Sequence, residues 1–301
     1  MKAIRFDQFG STSELHLVDV DPPQPERGQV RVRVRAAGVN ALDGKIRSGA
    51  MNAVFPTQLP AVPGAEVAGV VDAVGDETHG VSVGDEVFGW SDTGSYAEYA
   101  LATTVAIKPT ALGWDDAVAL PVAGATAQRV LDQLTVVDGD TVLLHGAAGA
   151  VGTIAVQLAV ARGARVIATA GPGNHDYLSS LGATPTTYGE GLVERVRALA
   201  PGGVDAIFDI AGKGALEDSI SLRGGTDRIV TIADFRAHQL GVAFSATPAE
   251  RSTGLLDDLA RAVAAGTVAT TVTTFPLAHA AAAQDLSDSG HVRGKIVLSV
   301  D

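Results

Sequence analysis

The segment Thr141-Val142-Leu143-Leu144-His145-Gly146-Ala147-Ala148-Gly149-Ala150-Val151-Gly152 leaves few folds open to this chain. Its first five residues read as a buried strand and its glycines as a tight turn; 152–162 read as a helix and 165–170 as a second strand. That order of elements builds a pyrophosphate site, because the helix start turns unbonded N–H groups toward an anion. Gly146 lets the chain turn sharply and Gly149 lets the backbone approach a phosphate. Gly152 lets the helix pack close to the strand. The spelling departs from G-x-G-x-x-G, since Ala147 stands at the first glycine position. The expectation is a dinucleotide site made by the backbone of Gly146, Ala148, Gly149, Ala150, Val151 and Gly152. A tight turn without a ligand is the alternative.

The pattern around this segment divides the chain. Up to about residue 118 it reads as β-rich, with strands at 3–6, 15–20, 30–37, 66–74, 86–90 and 98–101. Arg31-Val32-Arg33-Val34-Arg35 alternates, so one face of that strand is wet. Residues 115–120 and 124–134 read as helices. Strands 141–145, 165–170, 184–188 and 204–208 then alternate with helices 152–162, 174–181, 190–199 and 213–222. Strands 228–232 and 241–245 and a helix at 252–265 follow. Such alternation signals a parallel sheet covered on both faces. The tail returns to strand at 270–274 and 295–300, around a helix at 277–288, and can complete the first domain. The expected organisation is therefore a β-rich domain of residues 1–118 and 267–301, with a doubly wound α/β domain of residues 119–266 inserted into it.

With 301 residues the chain is long enough for two domains, and 46% hydrophobic against 19% charged residues supports a sizeable core. The net charge of −12 opposes binding to nucleic acid or to an anionic membrane. There is no cysteine, which excludes disulfides, a cysteine nucleophile and thiolate zinc sites, and suits a reducing compartment. The first residues read as a strand rather than a signal peptide, and no stretch is apolar for the ~18 residues that a membrane span needs.

Several segments then match one family in order. They are Ala37-Gly38-Val39-Asn40-Ala41-Leu42-Asp43, Val62-Pro63-Gly64-Ala65-Glu66-Val67-Ala68-Gly69, Gly84-Asp85-Glu86-Val87 and Gly94-Ser95-Tyr96-Ala97-Glu98-Tyr99. Further along come Leu120-Pro121-Val122-Ala123-Gly124-Ala125-Thr126-Ala127, the glycine turn itself, and His291-Val292-Arg293-Gly294-Lys295-Ile296-Val297-Leu298. The chain resembles the zinc-free quinone oxidoreductase, or zeta-crystallin-like, branch of the medium-chain dehydrogenases/reductases, and the Ala147 spelling is that branch's habit. The resemblance implies a GroES-like catalytic domain, a Rossmann nucleotide domain and a cleft between them. It also implies a homodimer joined through edge strands of the two nucleotide sheets, here about 242–244. Physics agrees, since an unpaired apolar edge otherwise invites aggregation.

Related alcohol dehydrogenases polarise a substrate oxygen with zinc held by cysteine and histidine. This chain has Asn40 where the first cysteine ligand would fall and Ala65-Glu66 where a His-Glu pair would fall. Glu66 reads as a buried acceptor for backbone or Arg/Lys donors. No metal is expected. That favours hydride transfer to acceptors that are already electrophilic, where the protein aligns the nicotinamide, excludes water and donates hydrogen bonds to the developing oxyanion.

An NAD site usually carries Asp or Glu after the second strand, for the ribose 2′-OH. Here that strand runs into Gly171-Pro172-Gly173-Asn174-His175, and no acid occurs before Asp176. The resemblance implies NADPH, with Thr169, Gly171, Asn174, His175 and Tyr188 at the adenosine end. The Lys or Arg that relatives often carry in this loop is missing, unless His175 or a distant Arg serves. The bland reading of His175 is an exposed helix-start residue.

The resemblance also implies the reacting end. Asn40 would bring its amide near the nicotinamide or the substrate oxygen, and Thr126, starting a helix, its hydroxyl near the nicotinamide amide. Lys45 stands where relatives often carry a tyrosine, and its ammonium could bind a carbonyl or enolate oxygen. Ala211, Ile232 and Ala233 follow the fourth and fifth sheet strands, so their backbone should flank the nicotinamide ribose. Lys295 would reach the cofactor from the tail. Turn-forming, capping and plain surface roles are the alternatives for Asn40, Thr126, Lys45 and Lys295. Asp43 reads as a helix cap, Trp90 and Met51 as core or acceptor pocket, and His145 as packed near the turn. The reading is a cytoplasmic NADPH-dependent reductase of quinones or activated C=C bonds. An enoyl-thioester reductase and a non-catalytic, crystallin-like NADPH-binding protein are the rivals.

Overall fold

The computed structural model describes residues 1–245 and 251–300. In chain order its strands and helices are β1 (Lys2–Arg5), β2 (His16–Asp19), β3 (Val30–Val39), α1 (Ala41–Arg47), β4 (Glu66–Val74), β5 (Glu86–Trp90), β6 (Tyr99–Ala102), β7 (Val105–Ile107) and α2 (Trp114–Val118). Then come α3 (Pro121–Gln133), β8 (Thr141–His145), α4 (Ala150–Ala161), β9 (Arg165–Thr169), α5 (His175–Ser180), β10 (Thr184–Thr186), α6 (Leu192–Leu199), β11 (Ala206–Asp209), α7 (Leu216–Arg223), β12 (Ile229–Thr231), α8 (Ala237–Leu240) and β13 (Ala243–Phe244). The chain ends with α9 (Thr253–Ala264), β14 (Val272–Pro276), α10 (Ala280–Ser289) and β15 (Lys295–Ser299).

Residues 1–122, 251–264 and 270–300 form one compact unit, and residues 123–245 with 265–269 a second. The first is the GroES-like part. Its main sheet has the order β14-β15-β3-β4-β5-β7, with β6 also paired to β3; β14 and β15 are parallel and the other pairs antiparallel. The alternation in β3 explains its place: Val30, Val32 and Val34 are buried with Val67, Val87, Tyr96 and Leu298. Arg31 lies on the other face, with a bidentate pair to Asp72 at 2.9 and 3.1 Å. The tail strand β15 pairs with β3, setting Val297 opposite Gly38.

The second unit is the Rossmann part, a six-stranded sheet of order β10-β9-β8-β11-β12-β13 with every pair parallel. This is the doubly wound order, whose direction of winding reverses between β8 and β11. Strands β8, β9 and β11 are apolar almost throughout because helices cover both their faces. Leu143, Ile167, Ile207, Leu192, Val196 and Leu216 form one buried cluster.

Three local expectations shift. The alternation of elements assigned the helix at 252–265 to the nucleotide domain of residues 119–266; residues 246–250 of that range, like 301 of the tail, lie outside the described residues. The observed α9 joins the first unit instead, where the Thr253 hydroxyl donates to the Val105 carbonyl at 3.1 Å. The helix expected at 213–222 begins only at Leu216, because Gly212 and Gly214 adopt positive φ and hold the chain out of helix. Thr126, expected to start a helix, lies in the second turn of α3, which starts at Pro121, a residue suited to a first turn.

Candidate active site

The glycine turn after β8 has the form that a dinucleotide needs. Gly146 sits at φ +73°, a conformation L side chains avoid, and a Cβ there would meet Ala211. Gly149 is the N-cap of α4 and has no side chain to bond the first-turn N–H groups, so those of Ala150, Val151 and Gly152 lack intrahelical partners. A Cβ on Gly149 would find nothing nearer than the Gly146 carbonyl at 3.7 Å, so this face of the turn is open. At Gly152 a Cβ would come within 2.5 Å of the Ala147 backbone, and only glycine lets α4 approach the turn this closely. Ala147 donates its N–H to the Thr169 carbonyl at 3.2 Å, tying the turn to β9. The arrangement fits a pyrophosphate on the N-terminus of α4.

The neighbouring strand ends are held by buried polar side chains. Asp209, at the end of β11, accepts from the N–H groups of Ala211 (3.1 Å) and Gly212 (3.0 Å) and from the Thr231 hydroxyl (2.8 Å). The Thr231 oxygen accepts from the N–H groups of Ala233 and Asp234, both at 3.1 Å, while Ile232 donates to the Asp209 carbonyl. The loops carrying Ala211, Ile232 and Ala233 are therefore shaped by one Asp–Thr clamp. His145 is buried, with Nδ1 3.3 Å from the Thr169 hydroxyl and Nε2 3.1 Å from the Ser219 hydroxyl. Burial holds its pKa below the ordinary histidine value, so it is a neutral linker of β8, β9 and α7.

At the expected adenosine end, Thr169 is buried and engaged with His145, whereas Tyr188 is 60% exposed. Nothing lies within 4 Å of a Cβ placed on Gly171, so the loop after β9 is open there. His175 is half-buried at the start of α5 and donates from Nε2 to the Ala170 carbonyl at 3.3 Å. This bond ties the ring to the loop after β9.

The first unit holds a polar cluster built from three distant parts of the chain. Asn40, at the junction of β3 and α1, donates from Nδ2 to Glu66 Oε2 at 2.9 Å and accepts at Oδ1 from Lys295 Nζ at 2.7 Å. Lys295 Nζ is also paired with Glu66 Oε2, and Glu66 Oε1 accepts the Val122 N–H at 2.7 Å. Glu66 is 0% and Lys295 2% exposed, while Asn40 is half-buried. Gly38 makes room for the pair, since a Cβ there would collide with the Glu66 carboxylate and approach Lys295 Cε to 2.9 Å. Beneath Asn40, the Asp43 carboxylate accepts from the Asn40 backbone N–H and from the Tyr96 hydroxyl, each at 2.9 Å. Burial raises the Asp43 pKa to about 6, although both hydrogen bonds and the nearby Lys295 charge act to lower it. Burial and the Asp43 charge push Tyr96 well above the usual tyrosine range.

Asn40, Glu66 and Lys295 thus meet, with Lys295 buried in the first unit. Lys45 lies exposed on α1, Thr126 half-buried in α3, Trp90 buried and Met51 half-buried. Sequence reasoning missed the Asp209–Thr231 clamp and the Tyr96–Asp43 bond. For the clamp a signal existed, an acid ending the apolar run Ala206-Ile207-Phe208 just before a glycine loop. Among the described residues, no group of three or more His, Cys, Asp or Glu side chains could hold a metal ion, and no helix is long and apolar enough to cross a membrane.

Comparison with known proteins adds relatives to this geometry. Residues 26–131 match the family described as alcohol dehydrogenase GroES-like domain, and residues 181–298 the one described as zinc-binding dehydrogenase. The quinone oxidoreductase of Sus scrofa is 34% identical over 241 residues, which cover 77% of this chain and 73% of that one. The 2-methylene-furan-3-one reductase of Solanum lycopersicum is 35% identical over 245 residues, covering 77% and 62%. Among solved structures, a mycobacterial protein complexed with NADPH is similar with a TM-score of 0.88 at 29% identity, covering 100% of both chains.

Proposed function

The chain belongs to the quinone oxidoreductase branch of the medium-chain dehydrogenase/reductase superfamily and is an oxidoreductase, and from that premise we propose that it reduces quinones or the activated C=C bond of α,β-unsaturated carbonyls with NADPH and without a metal. The observation that carries this reading is the turn 145–152, with its open Gly149 face and the unbonded N–H groups of α4. The loop after β9 supports NADPH over NADH, since no carboxylate precedes Asp176 to repel a 2′-phosphate.

When bound, NADPH supplies a hydride from C4 of its nicotinamide ring. The backbone of Gly146, Ala148, Gly149, Ala150, Val151 and Gly152 holds the pyrophosphate. Gly171, Asn174, His175 and Tyr188 line the adenosine end, and Thr169 supports it through His145. Ala211, Ile232 and Ala233 flank the nicotinamide ribose on loops fixed by Asp209 and Thr231, and Thr126 serves the carboxamide. Asn40 donates from its amide to the acceptor oxygen. That oxygen becomes anionic as the acceptor gains two electrons with the hydride, so a fixed donor there lowers the barrier. The balancing proton comes from solvent or from the exposed ammonium of Lys45.

The acceptor is a small molecule. We further propose a cytoplasmic homodimer joined at β13, the edge of the parallel sheet. Phe244 on that strand stacks on Phe235 (centroids 5.2 Å apart), which is itself 56% exposed. An apolar edge of this kind is covered most simply by a second copy. The functional test is whether quinones or enones oxidise enzyme-bound NADPH and whether NADH substitutes.

A further inference from the structure

We propose that the Glu66–Lys295 ion pair is a positioning device that locks the side-chain amide of Asn40 in one orientation, so that one N–H of that amide is held as the donor to the acceptor oxygen. The inference rests on the reductase reading above and assigns two residues a task within it.

An ammonium only donates and an ionised carboxylate only accepts, whereas a primary amide does both, at opposite ends. Asn40 stands between the two, with Oδ1 2.7 Å from the Lys295 ammonium and Nδ2 2.9 Å from the Glu66 carboxylate. Flipping the amide would set N–H against ammonium and oxygen against carboxylate, replacing two charge-assisted hydrogen bonds with two repulsions. Since charge-assisted bonds are roughly twice as strong as neutral ones, the orientation is dictated by the pair. Among the described residues, the second Nδ2–H has no acceptor, and Asn40 is half-buried above partners that are 0% and 2% exposed. The cluster therefore offers a ligand a single, pre-aimed donor.

Stability alone is a weak reason for such a pair. Desolvating two charges costs several kcal/mol per ion, and buried ion pairs are often replaced by apolar residues without loss. Here the surroundings keep the pair in place: Val122 donates to the second Glu66 oxygen, and Gly38 leaves the space a Cβ would fill. A preorganised donor is useful where negative charge develops, because it needs no reorientation at the moment of reaction. A quinone or enone acceptor develops that charge on its oxygen.

The experiment is a double-mutant cycle in the full-length enzyme, Lys295→Met, Asn40→Ala and the combination, read as kcat and KM for NADPH and for a quinone. Lys295→Met is expected to lower kcat about 10- to 100-fold, as for a misplaced oxyanion donor, with KM for NADPH within about twofold. The double variant should be no slower than Asn40→Ala alone, because Lys295 acts only through that amide. Multiplying effects, or a raised KM for NADPH with kcat unchanged, would overturn the inference and make Lys295 a cofactor ligand. A second measurement does not depend on the variants folding. In the wild type, the two Asn40 Nδ2 protons should exchange with solvent at clearly different rates by 1H–15N NMR; equal rates would contradict a locked amide. A wild type inactive toward every quinone and enone would sink the reductase reading and this inference with it. Multiplying effects in an active enzyme would sink the inference alone.

Discussion

The buried carboxyl of Asp43 makes the stability of the first unit depend on pH in a direction unusual for an aspartate. Its pKa is about 6 in the folded chain against an ordinary 3.8, chiefly because burial disfavours the charged form. The folded state therefore prefers the protonated carboxyl. The stability this contributes is fully present below about pH 3.8 and is lost as pH rises through 6. A difference of about two pH units, at about 1.4 kcal/mol each, amounts to about 3 kcal/mol. Asp43→Asn removes the titration but keeps an acceptor oxygen for the Asn40 N–H and the Tyr96 hydroxyl. Urea unfolding followed by tryptophan fluorescence isolates the effect, since Trp90 and Trp114 are the chain's only tryptophans and both lie in the first unit. Wild-type stability minus that of Asp43→Asn should fall by about 2.5 kcal/mol between pH 4 and 8, most steeply near pH 5. Taking the difference at each pH cancels the other titrating groups. A difference that stays flat, or that grows with pH, would refute the reasoning.

Gly152→Ala sets two effects against each other: a gain of at most ~1 kcal/mol in helix propensity and a methyl forced against the Ala147 backbone at 2.5 Å. Overpacking of this kind costs ~1–3 kcal/mol, so the melting temperature should fall and NADPH should bind more weakly; a rise in melting temperature would contradict the packing argument. Phe244→Asp should convert the proposed dimer to monomers in sedimentation velocity, with the far-UV circular dichroism unchanged; a persisting dimer would place the interface elsewhere.

The Rossmann half was legible because its signals are local. The turn, its glycines and its flanking strands lie within 30 residues, and each glycine answers a backbone need that reappears in the structure at Gly146 and Gly152. The alternation of strands and helices likewise anticipated the parallel sheet. Local rules failed where the chain chooses between distant partners. Helix α9 follows the last strand of the parallel sheet in sequence, yet it packs on β7, about 150 residues earlier. The Asn40–Glu66–Lys295 cluster was out of reach for the same reason. Asn40 and Glu66 were singled out separately and Lys295 was expected at the cofactor, but nothing in spacings of 26 and 229 residues says that they meet. What joins them is the register of the first sheet: β15 lies on β3 with Val297 opposite Gly38, and β4 lies on the other side of β3 with Val67 opposite Ala37.

The central claim is that this chain delivers hydride from NADPH to an acceptor that is already electrophilic. The most direct test is stopped-flow absorbance of enzyme-bound NADPH in the reduced-nicotinamide band, on mixing with a benzoquinone, a naphthoquinone or an alkyl enone, with NADH in parallel. The account predicts rapid loss of the band with a quinone or the enone and little reaction of NADH. Tight NADPH binding with no oxidation by any of the three would contradict it and favour an enoyl-thioester reductase or a non-catalytic NADPH-binding protein.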